Sequence, residues 1–195
     1  VYDAGNSMFA AHLWWMLRWI GHSNVAVLDG GWQAWQEQGG AVSVEVPGPA
    51  PSSTSEHTEK RLHPAMPTVS CDEVLRNIQA PRFTVLDARA ENRFRGDVEP
   101  MDPVAGHIPG ALNRPNTLNL DEKGRFQSPQ ALHESFTQVL GHIRPEEVVH
   151  QCGSGITACH NLLAMEIAGL EGSVLYPGSW SEWCSDSTRP IATGN

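Results

Sequence analysis

Sliding the sequence along itself by 148 positions brings its two ends together without a gap. Gly5 falls on Gly153, Ala10 on Ala158, His12 on His160, Gly21 on Gly169, Gly30 on Gly178, Trp32 on Trp180 and Trp35 on Trp183. The Gly-x-Trp-x-x-Trp endings, GGWQAW and GSWSEW, follow equivalent helix-forming runs. Such self-similarity restricts the chain to two versions of one structural unit. The first version begins at the equivalent of residue 149, so roughly the first 80 residues of its counterpart have no match. Half a unit cannot bury its faces. The helix expected over Ser7–Ile20 (SMFAAHLWWMLRWI) is apolar on nearly every side, as a helix enclosed by other layers is. The absent half is therefore expected on a separate chain, or to have been removed from this one.

Between the versions, residues 45–66 carry Pro47, Pro49, Pro51 and Pro64 around the run Ser52-Ser53-Thr54-Ser55 and show no apolar period, which marks a linker. Beyond it, Ser70-Cys71-Asp72-Glu73 is a capping box opening a helix to about Ala80. Phe83–Leu86 reads as a buried strand ending at Asp87, and Ser128-Pro129 opens a helix that runs to Gly141. Strands alternating with helices indicate an α/β fold with a largely parallel sheet. The expected division is 1–44 for the closing part of a first unit, 45–66 for the linker and 67–190 for a complete second unit.

Composition excludes several classes. Thirteen basic residues against 22 acidic ones give a net charge of −9, and Lys and Arg do not cluster, which argues against nucleic acid and anionic membrane surfaces. No apolar run reaches 18 residues, so a soluble protein is expected. The four cysteines, Cys71, Cys152, Cys159 and Cys184, show neither a C-x-x-C pair nor zinc-ligand spacing, which favours a reducing, cytoplasmic setting. Val1-Tyr2-Asp3 reads as the end of a strand.

The chemistry is expected in QCGSGITACHN, residues 151–161. The β-rich run Glu147–His150 precedes it and the helix formers Thr157–Ala168 follow, closed by Gly169, so Cys152 begins a strand-to-helix turn. Backbone N–H groups at a helix N-terminus stabilise a thiolate and can lower its pKa from about 8.5 to between about 3.5 and 7.5. Gly153 and Gly155 let successive N–H groups turn inward around the sulfur, and a larger side chain at either is expected to disturb that cradle. A C-x5-R phosphatase loop needs Arg at the position of Ala158. The six-residue ring Cys152–Thr157 better fits one added sulfur atom, a persulfide. In the ungapped register Ala4 takes the place of Cys152, so only the second unit carries a thiol.

CGSGIT at Cys152–Thr157, LDAR at Leu86–Arg89, GHIPGALN at Gly106–Asn113 and GSWSEW at Gly178–Trp183 together resemble the rhodanese family, in particular the two-domain thiosulfate and 3-mercaptopyruvate sulfurtransferases. Residues 1–35 resemble the closing half of that family's inactive first domain. The resemblance implies tandem rhodanese domains and a Cys152 persulfide that takes sulfur from a small-molecule donor and passes it to cyanide or a thiol, such as that of a thioredoxin-like protein. No cofactor or metal is implied. It places an anion-binding arginine at Arg93 and a backbone cradle at Gly153, Ser154, Gly155, Ile156 and Thr157, with Ser154 a polar partner of the donor. The neutral Gly153-Ser154 pair resembles the mercaptopyruvate type, yet Glu99-Pro100 is followed by Met101-Asp102 where that type has a second arginine.

His150 and His107 are expected to be structural, as are Cys71, Cys159 and Cys184. Arg89 is expected to pair with Asp87 or Glu91, and Trp180 and Trp183 to wall the pocket or core. Two other readings stay open: a rhodanese module that binds protein without catalysis, and an inactive fragment of a sulfurtransferase. Phosphate or arsenate chemistry is disfavoured by Ala158.

Overall fold

The computed structural model describes residues 1–46, 48 and 64–194. The expected linker therefore lies mostly outside the described residues. Four parallel strands form the sheet: β1 (Thr84–Asp87), β2 (Leu112–Asn113), β3 (Val148–Gln151) and β4 (Val174–Leu175), in the order β2-β1-β3-β4. A parallel bridge from Thr68 to Leu175 extends the β4 edge. β1 and β3 lie in register from Thr84 opposite Val148 to Asp87 opposite Gln151.

Side-chain alternation along these strands sets the two layers. Val85 and Val149 point into a core shared with Val74 of α3 (Cys71–Gln79) and Trp180 and Trp183 of α7 (Ser179–Cys184). Leu86 and Val148 face the other way, onto Leu132 and Phe136 of α5 (Pro129–Leu140) and Met165 of α6 (Ala158–Ile167). β3 is buried along its whole length, as befits a central strand covered on both faces. A short helix, α4 (Glu91–Phe94), follows β1. α3 begins with the expected capping box: the Ser70 hydroxyl accepts from the Glu73 amide, and the Glu73 carboxylate accepts from the Ser70 amide. Pro129 opens α5 with Ser128 as its cap. Residues Val1–Asp3, expected as the end of a strand, are not in a strand here; the Val1 ammonium donates to the Ala26 carbonyl and the Val1 carbonyl accepts from the Leu28 amide, a pairing too short to make a ladder.

The first segment supplies α1 (Met8–Trp19) and α2 (Gly31–Glu37). α1 packs one side on α6, where Ala11, Trp14 and Trp15 meet Leu162 and Leu163. Its other side is exposed at Phe9, Leu13, Met16 and Trp19. The expectation of a helix enclosed on all sides is thus met on one side only, where α6 is its principal partner.

A buried polar chain crosses this junction. The His160 Nε2–H donates to the Asn6 carbonyl at 2.9 Å, which leaves Nδ1 to accept from the Asn119 amide at 2.9 Å. Asn119 is held in that orientation because its oxygen accepts from Arg114. A proton on Nδ1 has no acceptor, and burial lowers the His160 pKa to about 4. His150 is packed against the Met165 sulfur, 3.0 Å from Nε2, and burial lowers its pKa to about 3. It is a core histidine, as expected.

These two imidazoles give the fold an acid limit. Below pH 6.5 the unfolded chain binds protons that the folded chain refuses, so stability rises with pH between about 4 and 6.5 and falls on acidification. Each site adds a slope of up to about 1.4 kcal/mol per pH unit. Denaturant unfolding at pH 7, 6 and 5 should show the loss, and His160→Gln should flatten it by about one proton; a pH-independent unfolding free energy would contradict this account.

Candidate active site

β3 ends at Gln151, and Cys152 enters a loop that reaches α6 only at Ala158. Cys152 is buried, whereas Ser154 at the loop tip is exposed. Two bonds tie the loop to α7: the Trp180 amide donates to the Cys152 carbonyl at 3.0 Å and the Ser181 amide to the Gly153 carbonyl at 2.8 Å. The amides of Gly153, Ser154, Gly155, Ile156 and Thr157 find no acceptor among the described residues. Five adjacent unbonded donors beside one buried sulfur form a nest that calls for an anion.

The first segment shows what such a nest holds. Leu28 donates to the Val1 carbonyl as Tyr176 does to that of His150, and Trp32 donates to the Asp3 carbonyl as Trp180 does to that of Cys152. The hydrogen bonds therefore set Asp3, not Ala4, in the place of Cys152. The ungapped register is displaced here because the first loop, Asp3 to Ala10, is one residue longer than Cys152 to Ala158. The Asp3 carboxylate accepts from the amides of Gly5 (3.1 Å) and Ser7 (3.2 Å) through one oxygen, and of Phe9 (3.0 Å) and Ala10 (3.1 Å) through the other. In one loop the chain's own carboxylate fills the donors; in the other the free donors follow a thiol directly in the chain.

A cleft of about 270 Å³ opens over Cys152, lined by Gly153, Ser154, Ile156 and Thr157, by Arg93, Met101, Asp102 and Ser181, and by Met8 and Phe9 of the first segment. All the residues singled out from the sequence thus gather here, except Gly155, which lies buried beneath the loop. The guanidinium of Arg93 approaches the Gly153 backbone, its two terminal nitrogens about 3.8 Å from where a β-carbon would stand. It is held by Glu99, at 3.2 Å from Nε and 2.5 Å from Nη2, with Asp102 3.4 Å away. Arg93 bonding holds Glu99 below the usual carboxylate range against the opposing effect of burial. Nη1 of Arg93 makes no bond among the described residues and is left for a ligand.

Behind this wall, Arg89 meets Asp87 at 2.7 Å with both side chains essentially inaccessible, donates to the Gly106 carbonyl and stacks over Trp180 at 4.6 Å. Burial pushes the Asp87 carboxyl up and Arg89 pulls it back. The pair fixes the site's frame, and losing one partner would cost about 3–5 kcal/mol. His107 stacks on Phe94 at 3.8 Å and bonds its carbonyl, a structural role. The indole N–H groups of Trp180 and Trp183 donate to Val104 and Pro190, so both rings are core rather than cleft lining. Cys71, Cys159 and Cys184 are buried, and burial pushes the Cys159 thiol far up.

Sequence reasoning assigned no site role to Glu99, Ser179 or Ser181, nor to Met8 and Phe9, which lie 144 and 143 positions before Cys152. Ser179 is fully buried with φ +53°; its Oγ accepts from the Cys152 amide at 3.1 Å and its O–H donates to the Tyr176 carbonyl at 2.9 Å. A left-handed non-glycine residue costs on the order of 1 kcal/mol. Its signal was available: the matching residue of the first segment is Gly31.

The two loop glycines, at either of which a larger side chain is expected to disturb the cradle, differ in how tightly the backbone is constrained. Gly155 has φ +80° and a β-carbon there would stand 2.5 Å from the Pro177 carbonyl, whereas one on Gly153 meets only Arg93 at ordinary contact distance. Gly155→Ala should lower stability by about 2 kcal/mol or more, and Gly153→Ala by less than about 1 kcal/mol. Equal losses in denaturant unfolding would contradict the assigned loop geometry.

The rhodanese-like domain profile matches residues 1–38 and 70–186. A Pseudomonas aeruginosa protein named "Probable 3-mercaptopyruvate sulfurtransferase" is 43% identical over 196 residues, covering all of this chain and 67% of that protein. Human 3-mercaptopyruvate sulfurtransferase is 36% identical over 94% of this chain and 61% of its own length. The chain thus spans about two thirds of the curated relatives it matches. Among solved structures, 3-mercaptopyruvate sulfurtransferase from Leishmania major superposes with a TM-score of 0.71 at 30% identity, covering 97% of this chain and 52% of that one. The anaerobic ergothioneine biosynthesis enzyme of Chlorobium limicola shares the fold, with a TM-score of 0.77 at 22% identity over 96% of this chain and 45% of that one. With a profile that spans most of its length and relatives that align along all of it, the chain belongs to the rhodanese family.

Proposed function

We propose that this chain is the catalytic part of a sulfurtransferase acting through a persulfide on Cys152, with 3-mercaptopyruvate as the preferred donor. The observation that carries this reading is the row of five unbonded amides around Cys152, where the equivalent place in the first loop is filled by the Asp3 carboxylate. A nest that accepts a carboxylate in one loop suits a thiolate, and then the terminal sulfur of a persulfide, in the other.

In the forward step the Cys152 thiolate attacks the donor sulfur. With 3-mercaptopyruvate the C–S bond breaks, its electron pair stays on carbon, and the resulting enolate takes up a proton to give pyruvate. With thiosulfate the S–S bond breaks and sulfite leaves. Cyanide or a thiolate, such as that of a thioredoxin-like protein, then attacks the outer sulfur and restores the Cys152 thiolate. Arg93 Nη1 is placed to hold the donor's carboxylate, and Ser154 and Thr157 line the approach.

Charge favours the monoanionic donor. Arg93 is already paired with the buried Glu99, which also meets Arg89 at 3.4 Å, and has Asp102 beside it on the cleft wall, so little positive charge is left to hold a dianion such as thiosulfate. In this reading residues 1–44 close a first rhodanese domain, 67–190 form the catalytic one, and the exposed side of α1 is the surface that a further segment, on this or a separate chain, covers. Four free buried thiols suit a reducing, cytoplasmic setting; no helix among the described residues is long and apolar enough to cross a membrane.

Intact mass after incubation with 3-mercaptopyruvate should show one added sulfur, discharged by cyanide and absent in Cys152→Ser. No gain with either donor would leave a binding module or a fragment lacking part of its pocket. Removing the Asp102 charge should relax donor choice: Asp102→Asn is expected to raise kcat/KM for thiosulfate about 5- to 10-fold relative to 3-mercaptopyruvate, and an unchanged ratio would exclude charge as the selector.

A further inference from the structure

We propose that Ser179 is a positioning residue for the nucleophile: its hydroxyl, anchored on the Tyr176 carbonyl, receives the Cys152 amide and aims the sulfur into the ring of loop amides. The inference deepens the sulfur-transfer reading above and rests on it.

Three observations converge. First, the bond directions are forced. The Tyr176 carbonyl can only accept, so the Ser179 proton points to it at 2.9 Å and a lone pair is left for the Cys152 N–H at 3.1 Å. One hydroxyl thereby ties the residue after β3 to the segment after β4. Second, Ser179 holds φ +53° in a fully buried position, a conformation that glycine adopts without strain. Third, the chain contains its own comparison. Gly31 occupies the matching place in the first segment, with φ +58° and the same relation to the strand end: the Trp32 amide donates to Asp3 as the Trp180 amide donates to Cys152. Where the loop surrounds a carboxylate, the backbone bend is made by glycine. Where it surrounds a thiol, serine is kept at a strained angle with its hydroxyl on the nucleophile's own amide.

The reason lies in how each anion is held. Asp3 has two oxygens and four amide bonds to fix its direction. A cysteine offers one sulfur atom with diffuse acceptor directions, so its orientation depends on the peptide plane that carries it. The hydroxyl of Ser179 fixes that plane at the amide of Cys152, the one amide from Cys152 to Thr157 that has an acceptor among the described residues.

Ser179→Gly separates this role from a structural one, because it removes the hydroxyl and relieves the strained angle together. The variant should keep its thermal midpoint within a few degrees. The pH midpoint for alkylation of Cys152 by iodoacetamide, followed by peptide mass, should move up by about half a unit or more. With 3-mercaptopyruvate and cyanide, kcat per titrated Cys152 should fall about tenfold while KM stays within about twofold. Ser179→Ala should show the same alkylation and kcat changes, with a lower midpoint added, and serves if the glycine variant does not fold. An unchanged alkylation profile and kcat in either folded variant, or a rise in KM at constant kcat, would overturn the proposal. If the wild-type protein forms no persulfide, the sulfur-transfer reading fails, and the alkylation profile still decides the part played by Ser179.

Discussion

Five backbone N–H groups in succession, from Gly153 to Thr157, have no acceptor among the described residues, and the rest of the site follows from the need to satisfy them. An amide that a bound ligand shields from water costs about as much as a lost hydrogen bond unless the ligand supplies an acceptor, so five adjacent free donors favour an anion over a neutral occupant. The fold keeps them convergent by rigid means. β3 is buried from end to end and delivers Cys152 to a fixed point, α6 starts only after the ring has closed, and Gly155 presses against the Pro177 carbonyl where no side chain fits. The Asp3 loop solves the same problem with an internal carboxylate, which makes it a built-in control for the anion preference of the Cys152 loop.

Around this nest the charges are arranged to restrain rather than to attract. Arg93 could serve as a strong anion trap, yet Glu99 holds two of its nitrogens and Asp102 stands beside them, leaving one nitrogen toward the loop. Arg89 is spent on Asp87, Gly106, the Trp180 ring and a longer contact to Glu99 at 3.4 Å. Such a frame orders the guanidinium before any donor arrives and lowers the entropy lost on binding. It also narrows the set of anions the cleft welcomes. The second wall comes from Met8 and Phe9, tethered through the Asn6–His160–Asn119–Arg114 chain, so the site spans both parts of the sequence.

Much of this was legible in the sequence, and the reasons are local. The Ser70 capping box, the Pro129 helix start, the β-rich runs before Asp87 and Gln151 and the Gly169 helix end are short-range signals, and each appears within a residue or so of its expected place. Cys152 stood out because a thiol, two glycines and a helix start lie within seven residues. Arg93 came from family resemblance, since no local pattern shows that it will fold back over Gly153. What failed was long-range or geometric. The ungapped repeat chose Ala4 as the counterpart of Cys152 because its matches are anchored in the helices, while the extra loop residue shifts the strand end by one. The roles of Glu99 and Asp102 depend on where Arg93 swings, and the exposed side of α1 depends on which layers lie next to it. Ser179 is the instructive case: a serine facing a glycine across the repeat was visible, but its meaning required a φ angle and two hydrogen bonds.

The most direct test of the central claim is to watch the loop amides themselves. In a 15N-labelled sample, the amide protons of Gly153 to Thr157 should move downfield when Cys152 is converted to its persulfide, as N–H groups do when they take up a charged acceptor. Those of Gly5, Ser7, Phe9 and Ala10, already bonded to the Asp3 carboxylate, should stay where they are. If loading sulfur onto Cys152 leaves the five amides unmoved, the loop is not an anion cradle and the account of the site fails.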